Sequence, residues 1–285
     1  MTAIVFGLLS AASWGAGDFI GGFASRKLSA FLVVIVSQAS GLIMLIGAVL
    51  IFAEPIPAGR DLFIGAAAGI SGVIGLLALY QGMAVGRIGV VAPLSAVVTA
   101  IVPVVFGMLL EGWPGSKVVV GFVFALIAVW LVSQGEEDDI QPGVKIGSTA
   151  LRYALVAGLG FGVFFILLDQ ISTGAVYWPI VAARSASITF VSLVVFLRSS
   201  WRSPSSVAFG KITALILFGG ILDAGGNVFF ALATQAGRLD ISSVLASLYP
   251  AGTVFLAWLI LRERLAWLQW LGVVAALIAV GLVAG

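Results

Sequence analysis

Long apolar runs recur from one end of the chain to the other, and this feature constrains the fold most. A helix needs about 20 mainly apolar residues to cross the hydrocarbon core of a bilayer. Of the 285 residues, 61% are hydrophobic and only 9% are charged, whereas a soluble domain carries about 25% charged residues. The sequence therefore predicts an all-α polytopic membrane protein with ten transmembrane helices. The predicted spans are 3–24, 29–52, 62–85, 88–110, 116–134, 150–172, 177–198, 210–236, 239–261 and 265–284.

The connections between the spans differ in charge on the two sides of the membrane. With ten spans, one side carries ten basic residues and the other carries only Arg60, Lys117 and Arg238. Connections rich in lysine and arginine face the cytoplasm. We therefore expect both termini to lie outside, and we read the net charge of +2 as a sign of orientation and not of nucleic-acid binding.

The chain contains no cysteine and no histidine. This excludes disulfides, thiolate chemistry and an imidazole proton relay, and it removes the usual ligands of zinc and haem. No GxxxxGK[ST] segment for ATP phosphates is present either. Only an aspartate mechanism would be left for an embedded enzyme, so we expect no enzyme activity, no metal and no cofactor.

Two separate segments repeat at one offset. Shifted by 151 residues, the segment 60–88 aligns with 211–239, pairing Gly69 with Gly220, and the same shift pairs Asp18 with Asp169. Later in the repeat a shift of 152 pairs Glu111 with Glu263. The chain therefore divides into a first five-helix repeat at 1–135, a polar linker at 136–149 and a second repeat at 150–285.

An odd number of spans in each repeat determines how the halves are related. The second half must enter the membrane from the opposite face, so the halves are inverted about a pseudo-two-fold axis in the membrane plane. The predicted fold is two inverted five-helix repeats around a central cavity. This arrangement is typical of transporters that open alternately to the two sides.

Two acidic residues lie within the first and sixth spans. Asp18 is predicted toward the cytoplasmic side and Asp169 toward the outside, which suits a gate residue for each face. A carboxylate at bilayer depth costs about 2.5 kcal/mol or more, so such groups commonly have a function. The alternative is that each carboxylate caps a helix or pairs with a nearby base.

Further polar residues are predicted near the middle of the membrane. Arg184 lies in the seventh span, and Gln38 is its repeat partner if the 6/7 loop is five residues shorter than the 1/2 loop. A guanidinium there suits a substrate carboxylate, or else it pairs with Asp169 or Asp223. Asp223 and Asn227 share one helix face, which suits an ammonium group or a helix contact.

Hydroxyl and aromatic side chains complete the predicted site. Ser95 and Thr99, and likewise Ser243 and Ser247, are four residues apart near Pro93, Pro103 and Pro250, which free backbone carbonyls. These hydroxyls could instead bond their own helix. The predicted substrate-binding residues are Trp14, Asp18, Gln38, Tyr80, Ser95, Thr99, Phe165, Asp169, Arg184, Asp223, Asn227, Ser243 and Tyr249.

The chain resembles the ten-helix, EamA-type members of the drug/metabolite transporter superfamily. The resemblance rests on the five-plus-five repeat, "YQGMAVGRIGVVAPLSAVVTAIVPVVFGMLLEGW" and "ALATQAGRLDISSVLASLYPAGTVFLAWLILRERL". The latter has a glutamate 13 residues after Pro250, whereas in the first half Val98 replaces the proline. Within the superfamily the chain is most similar to exporters of aromatic amino acids, of the YddG type, which implies export of small metabolites across the bacterial inner membrane.

Sequence and resemblance together predict a secondary transporter that exports amino acids by alternating access. A zwitterion needs an acid and a base, and an aromatic substrate also needs apolar ring surfaces. We expect a cavity lined by spans 1, 3, 4, 6, 8 and 9, a monomer in the lipid bilayer, and protons as a candidate coupling ion, with no ATP and no nucleic acid as partners. The alternatives are an exporter of cationic drugs and, more remotely, a passive channel or a non-transport membrane protein.

Overall fold

The computed structural model describes residues 1–25, 27–85, 88–132, 148–197, 209–261 and 266–284, and within these residues it contains helices and no strand. Described helix ends lie within three residues of the predicted span ends. The helices are α1 (Thr2–Ser25), α2 (Ala30–Phe52), α3 (Gly59–Val85), α4 (Ile88–Glu111), α5 (Ser116–Val132), α6 (Ser148–Asp169), α7 (Tyr177–Leu197), α8 (Phe209–Ala236), α9 (Leu239–Ala246), α10 (Tyr249–Leu261) and α11 (Trp267–Ala284).

The prediction of one continuous helix over 239–261 is wrong, because this span is broken between α9 and α10. Pro250 has no backbone N–H, and its ring clashes with the carbonyl of the residue four positions earlier. That residue is Ala246, the last residue of α9. In the first half Val98 stands in place of the proline, and α4 is continuous there.

The helices have the length and surface expected in a bilayer. By length and composition, seven helices in the described ranges are long and apolar enough to cross a membrane. Helices α5 and α11 are apolar as well, but shorter. Large apolar side chains are exposed on the outside, for example Ile43 and Phe196. Arg184 and Thr99 are buried inside. This confirms the prediction of an all-helical, multi-pass membrane protein, in which helices satisfy their own backbone hydrogen bonds.

The most extensive helix contacts join the two halves of the chain. Helix α1 packs on α8 and α3 packs on α6, which are equivalent contacts when the halves are exchanged. The contacts of α2 with α8 and of α3 with α7 form a second equivalent pair, and α5 with α11 and α2 with α7 each pair a helix with its own repeat partner. The contacts therefore follow the pseudo-two-fold relation that the repeat predicts.

Two glycines allow the closest of these crossings. A Cβ added to Gly69 of α3 would overlap the backbone of Ala183 in α7, and a Cβ added to Gly220 of α8 would overlap the backbone of Ser37 in α2. Small residues let membrane helices approach at backbone distance. The two contacts are repeat partners, because Gly69 and Gly220 are the pair aligned in the sequence.

Some predictions fall outside the described residues. These include the polar linker over 136–147, the matched positions Gly86, Arg87 and Glu263, and the basic residues Arg262 and Arg264. The domain boundaries at 135, 149 and 150 stay predictions.

Candidate functional site

A cavity lies where helices of the two halves cross, and it encloses about 610 Å³ of space free of protein atoms, including the part open to solvent. The prediction that spans 1, 3, 4, 6, 8 and 9 line it is incomplete, because α2 and α7 contribute as well. The lining residues are Trp14, Asp18, Gln38, Gly69, Gly72, Val73, Leu76, Thr99, Phe161, Phe164, Phe165, Ala183, Arg184, Ser187, Asp223, Asn227 and Tyr249.

Arg184 is the cation of this cavity. Its side chain is 2% exposed, and its Nη1 atom lies 2.5 Å from the Oδ2 atom of Asp223 and 2.6 Å from the Oε1 atom of Gln38. From the sequence, either Asp169 or Asp223 was a possible ion-pair partner of Arg184, and the structure shows the pair with Asp223. The Nε and Nη2 atoms of Arg184 are buried and have no hydrogen-bond partner among the described residues. Two nitrogen atoms of the guanidinium are therefore left without an acceptor among the described residues.

Asp18 adds a second carboxylate to the same cavity. Helices α1 and α8 are in close contact here, since a Cβ added to Gly17 would lie 3.4 Å from the Cβ atom of Asp223. The carboxylates of Asp18 and Asp223 interact electrostatically. The described lining residues thus include two carboxyl groups and one guanidinium. The arrangement has room for an additional cation, such as the ammonium group of a ligand.

An aromatic cluster forms one wall of the cavity. The ring of Trp14 stacks on that of Phe165 with centroids 5.3 Å apart, and Phe165 stacks on Phe230 at 4.2 Å. Phe164 meets Trp14 edge to face at 6.5 Å. The Nε1 atom of Trp14 donates a hydrogen bond of 2.9 Å to Asn227, which fixes the indole. Stacked rings of this kind provide a surface for the side chain of an aromatic ligand.

Helices α4 and α10 contribute hydroxyl groups to the site. Thr99 lines the cavity, but its hydroxyl donates to the Ser95 carbonyl within its own helix at 2.8 Å. The hydroxyl of Tyr249 lies 3.5 Å from that of Ser95. Tyr249 is the first residue of α10, so the break before Pro250 places its ring at the cavity.

Four predicted site residues are not among the described residues that line this cavity. Tyr80 is buried against α1, where its ring fills the space beside Gly21, and Ser95 lies next to Tyr249. Asp169 ends α6 and accepts a hydrogen bond from the side chain of Gln170. Ser243 is buried in α9. The repeat partners Asp18 and Asp169 are therefore not equivalent, since Asp18 lines the cavity and Asp169 lies at a helix end.

Sequence reasoning missed several lining residues. Phe161 lies on α6 beside the predicted Phe165, and Ser187 lies one turn after Arg184 on α7. The spacing of Ser187 from Arg184 was the available signal, because residues three positions apart share a helix face. Phe161 gave no such signal, since apolar residues surround it in the sequence.

One face of the bundle is held together by polar side chains. The carboxylate of Glu54, between α2 and α3, accepts hydrogen bonds from the backbone N–H groups of Val176 at 2.6 Å, Tyr177 at 3.0 Å and Trp178 at 2.8 Å. It thereby caps α7, where a negative charge is favoured. On the same face Asp61 accepts hydrogen bonds of 3.1 Å from the backbone and hydroxyl of Ser172.

Arg238, between α8 and α9, joins this face to the end of α4. It donates to both carboxylate oxygens of Asp240, at 3.1 and 2.8 Å, and to the carbonyls of Glu111 at 3.1 Å and Gly112 at 2.6 Å. The hydrogen bond with Asp240 raises the pKa of Arg238 above its ordinary value. The connections on this face are thus hydrogen-bonded to neighbouring helices from the other half.

Comparison with known proteins identifies the family. The model of the EamA-like transporter family matches residues 1–134 and again residues 148–285. The chain is a member of the EamA-like transporter family. It is accordingly a membrane transporter of the drug/metabolite transporter superfamily.

The fold of this EamA-like transporter also occurs among solved structures. A chain titled "Crystal structure of protein" aligns with a TM-score of 0.77 at 14% identity, covering 98% of this chain and 95% of that chain. At this identity the likeness shows the fold alone. No curated protein matches the sequence. The substrate must therefore be argued from the cavity of this EamA-like transporter.

Proposed function

We propose that this protein is a secondary transporter that exports amino acids, aromatic and other neutral ones, across the bacterial inner membrane. The observation that carries this proposal is the composition of the central cavity. One buried guanidinium, two carboxylates and a wall of stacked aromatic rings lie together between the two halves. These are the groups that a zwitterion with an apolar or aromatic side chain requires.

Alternating access follows from the inverted halves. Exchanging their conformations turns a cavity open to one side into a cavity open to the other. By the loop charges, the face that carries Glu54 and Arg238 is the outer one. On that face the hydrogen bonds of Arg238 with Glu111 and Gly112 join the two halves. A monomer contains the whole cavity, and the absence of a GxxxxGK[ST] segment from the sequence favours ion coupling or facilitated diffusion over direct use of ATP.

The charge of the cavity also supports a second candidate substrate. With two carboxylates beside one guanidinium, a lipophilic cation could bind to Asp18 and Asp223 and stack on Trp14. The protein would then export cationic drugs. An amino acid remains the better match, because a cation leaves the free donors of Arg184 unused.

Transport by purified protein in liposomes tests the proposal. Liposomes are loaded with radiolabelled phenylalanine, and efflux is followed with and without an imposed pH gradient, against empty liposomes and against a radiolabelled lipophilic cation. We expect saturable efflux of phenylalanine that unlabelled neutral amino acids inhibit. Acceleration by the gradient would identify protons as the coupling ion. Movement of the cation without movement of phenylalanine would contradict the proposal and favour the drug exporter.

A further inference from the structure

We infer that the Nε and Nη2 atoms of Arg184 form the binding site for the carboxylate group of the substrate. The inference rests on the proposed amino-acid transport and assigns one chemical group of the substrate to one set of atoms. Arg184 lies on α7 with its side chain inside the protein, and its guanidinium lines the cavity.

The hydrogen bonds of Arg184 are distributed unevenly over its three nitrogen atoms. Gln38 and Asp223 both contact Nη1, while Nε and Nη2 are buried without a partner among the described residues. A buried charged donor without an acceptor is costly, so a ligand that supplies acceptors there gains binding energy. The Nε and Nη2 atoms form a planar fork that matches the two oxygens of a carboxylate.

The position of Arg184 relative to the pseudo-two-fold axis explains why this site suits transport. Gln38 and Arg184 are repeat partners at a shift of 146 residues, and they contact each other directly at 2.6 Å. Two repeat partners can touch only near the axis that relates them. A group on the axis has the same relation to both membrane faces. The carboxylate can therefore stay bound to Arg184 while the halves exchange conformations around it.

The charges around Arg184 determine which carboxylates bind. Asp223 on α8 and the uncharged Gln38 on α2 contact Arg184 directly, and Asp18 on α1 lines the same cavity and interacts electrostatically with Asp223. A simple carboxylate would bring a further negative charge to a guanidinium that Asp223 already neutralises, and like charges at close range oppose binding. An amino acid brings an ammonium group that offsets this repulsion at Asp18 and Asp223. The site therefore selects zwitterions over anions and over amines.

Competition among four phenylalanine-like compounds tests the inference. Efflux of radiolabelled phenylalanine is measured with unlabelled phenylalanine, phenylalaninamide, phenethylamine or N-acetylphenylalanine outside and inside the liposomes. The assay is run at about pH 6, where phenylalaninamide keeps the ring and a protonated amino group and lacks the carboxylate charge. We expect each of the last three compounds to compete at least about tenfold more weakly than phenylalanine, as expected when a charge-assisted contact is lost.

Variants of Arg184 link this selectivity to the side chain. In Arg184→Gln we expect phenylalanine and phenylalaninamide to compete within about threefold of each other, because the variant lacks the fork. Arg184→Lys should give an intermediate preference, since an ammonium group retains the charge without the planar geometry. Arg60→Gln is the matched control, because the Arg60 side chain is 63% exposed. It should keep the selectivity of the unchanged protein.

A binding measurement keeps the test informative if Arg184→Gln is too unstable for transport. Thermal unfolding of the unchanged protein in detergent should shift upward with phenylalanine and much less with phenylalaninamide at equal concentration. Equal competition and equal stabilisation by the two compounds, with phenylalanine still transported, would overturn the carboxylate site and leave the proposed function standing. No transport of phenylalanine by the unchanged protein would overturn the proposed function itself.

Discussion

A methyl group added to Gly69 should force α3 away from α7 and destabilise the bundle. In Gly69→Ala the new Cβ would lie about 2.5 Å from the Cα and carbonyl carbon atoms of Ala183. Ordinary contacts between such atoms are about 3.5–4.0 Å long, so the helices must separate by on the order of 1 Å. The clash involves backbone atoms, which a side-chain rotation cannot move.

Comparison with a second glycine variant isolates the steric cost of the added methyl group. Overpacking costs about 1–3 kcal/mol, but alanine also stabilises a helix by about 0.5–1 kcal/mol relative to glycine. Gly47→Ala in α2 makes the same change where an added Cβ meets nothing within 4 Å. Both variants gain the helix propensity, so the difference between them reports the steric cost.

Thermal unfolding in detergent at one fixed scan rate measures this difference. We expect Gly69→Ala to unfold at a temperature lower than Gly47→Ala by roughly 2–8 °C. Gly220→Ala should behave like Gly69→Ala, because its Cβ would overlap the backbone of Ser37 at the equivalent crossing. Unfolding of Gly69→Ala and Gly47→Ala at the same temperature would refute the close crossing.

The remaining predictions concern the face held by polar side chains. Arg238→Ala leaves the buried carboxylate of Asp240 with the backbone N–H of Ile241 but without its ion-pair partner, and should lower the free energy of unfolding by up to about 3 kcal/mol, measured by thermal unfolding. Glu54→Ala should lower it by about 1–2 kcal/mol through the lost cap of α7, while Glu54→Gln should lose less. Ala58 and Thr173 are exposed on the face that the loop charges place outside the cell. Cysteines introduced by Ala58→Cys and Thr173→Cys should therefore react with an impermeant maleimide on intact cells. Labelling only after lysis would show that this face lies inside.

The sequence determined the architecture because hydropathy and repetition are visible in it. Apolar runs long enough for a bilayer predict the helices, and the shared offset predicts that Gly69 and Gly220 make equivalent contacts. A shorter 6/7 loop likewise makes Gln38 the repeat partner of Arg184, although their direct hydrogen bond in the structure was not predicted.

The site was harder to predict because it depends on how far each helix extends and how it is rotated. Asp18 and Asp169 are aligned in sequence, but α1 continues to Ser25 whereas α6 ends at Asp169. The same position is therefore inside one helix and at the end of the other. Phe161 was missed for a different reason. In a helix that is apolar on all sides, only packing against the other half decides which side chains face the cavity.

Alternating access requires that the cavity around Arg184 be reached from both sides of the membrane. Thr99 lines this cavity, and the chain has no native cysteine, so Thr99→Cys introduces a single thiol. Its reaction with a small impermeant methanethiosulfonate is measured in right-side-out and in inside-out vesicles, with Ile43→Cys on the lipid-facing surface as the control. We predict labelling of Thr99→Cys from both sides, slowed by phenylalanine, and no labelling of Ile43→Cys. Labelling from one side only, unaffected by phenylalanine, would contradict the account.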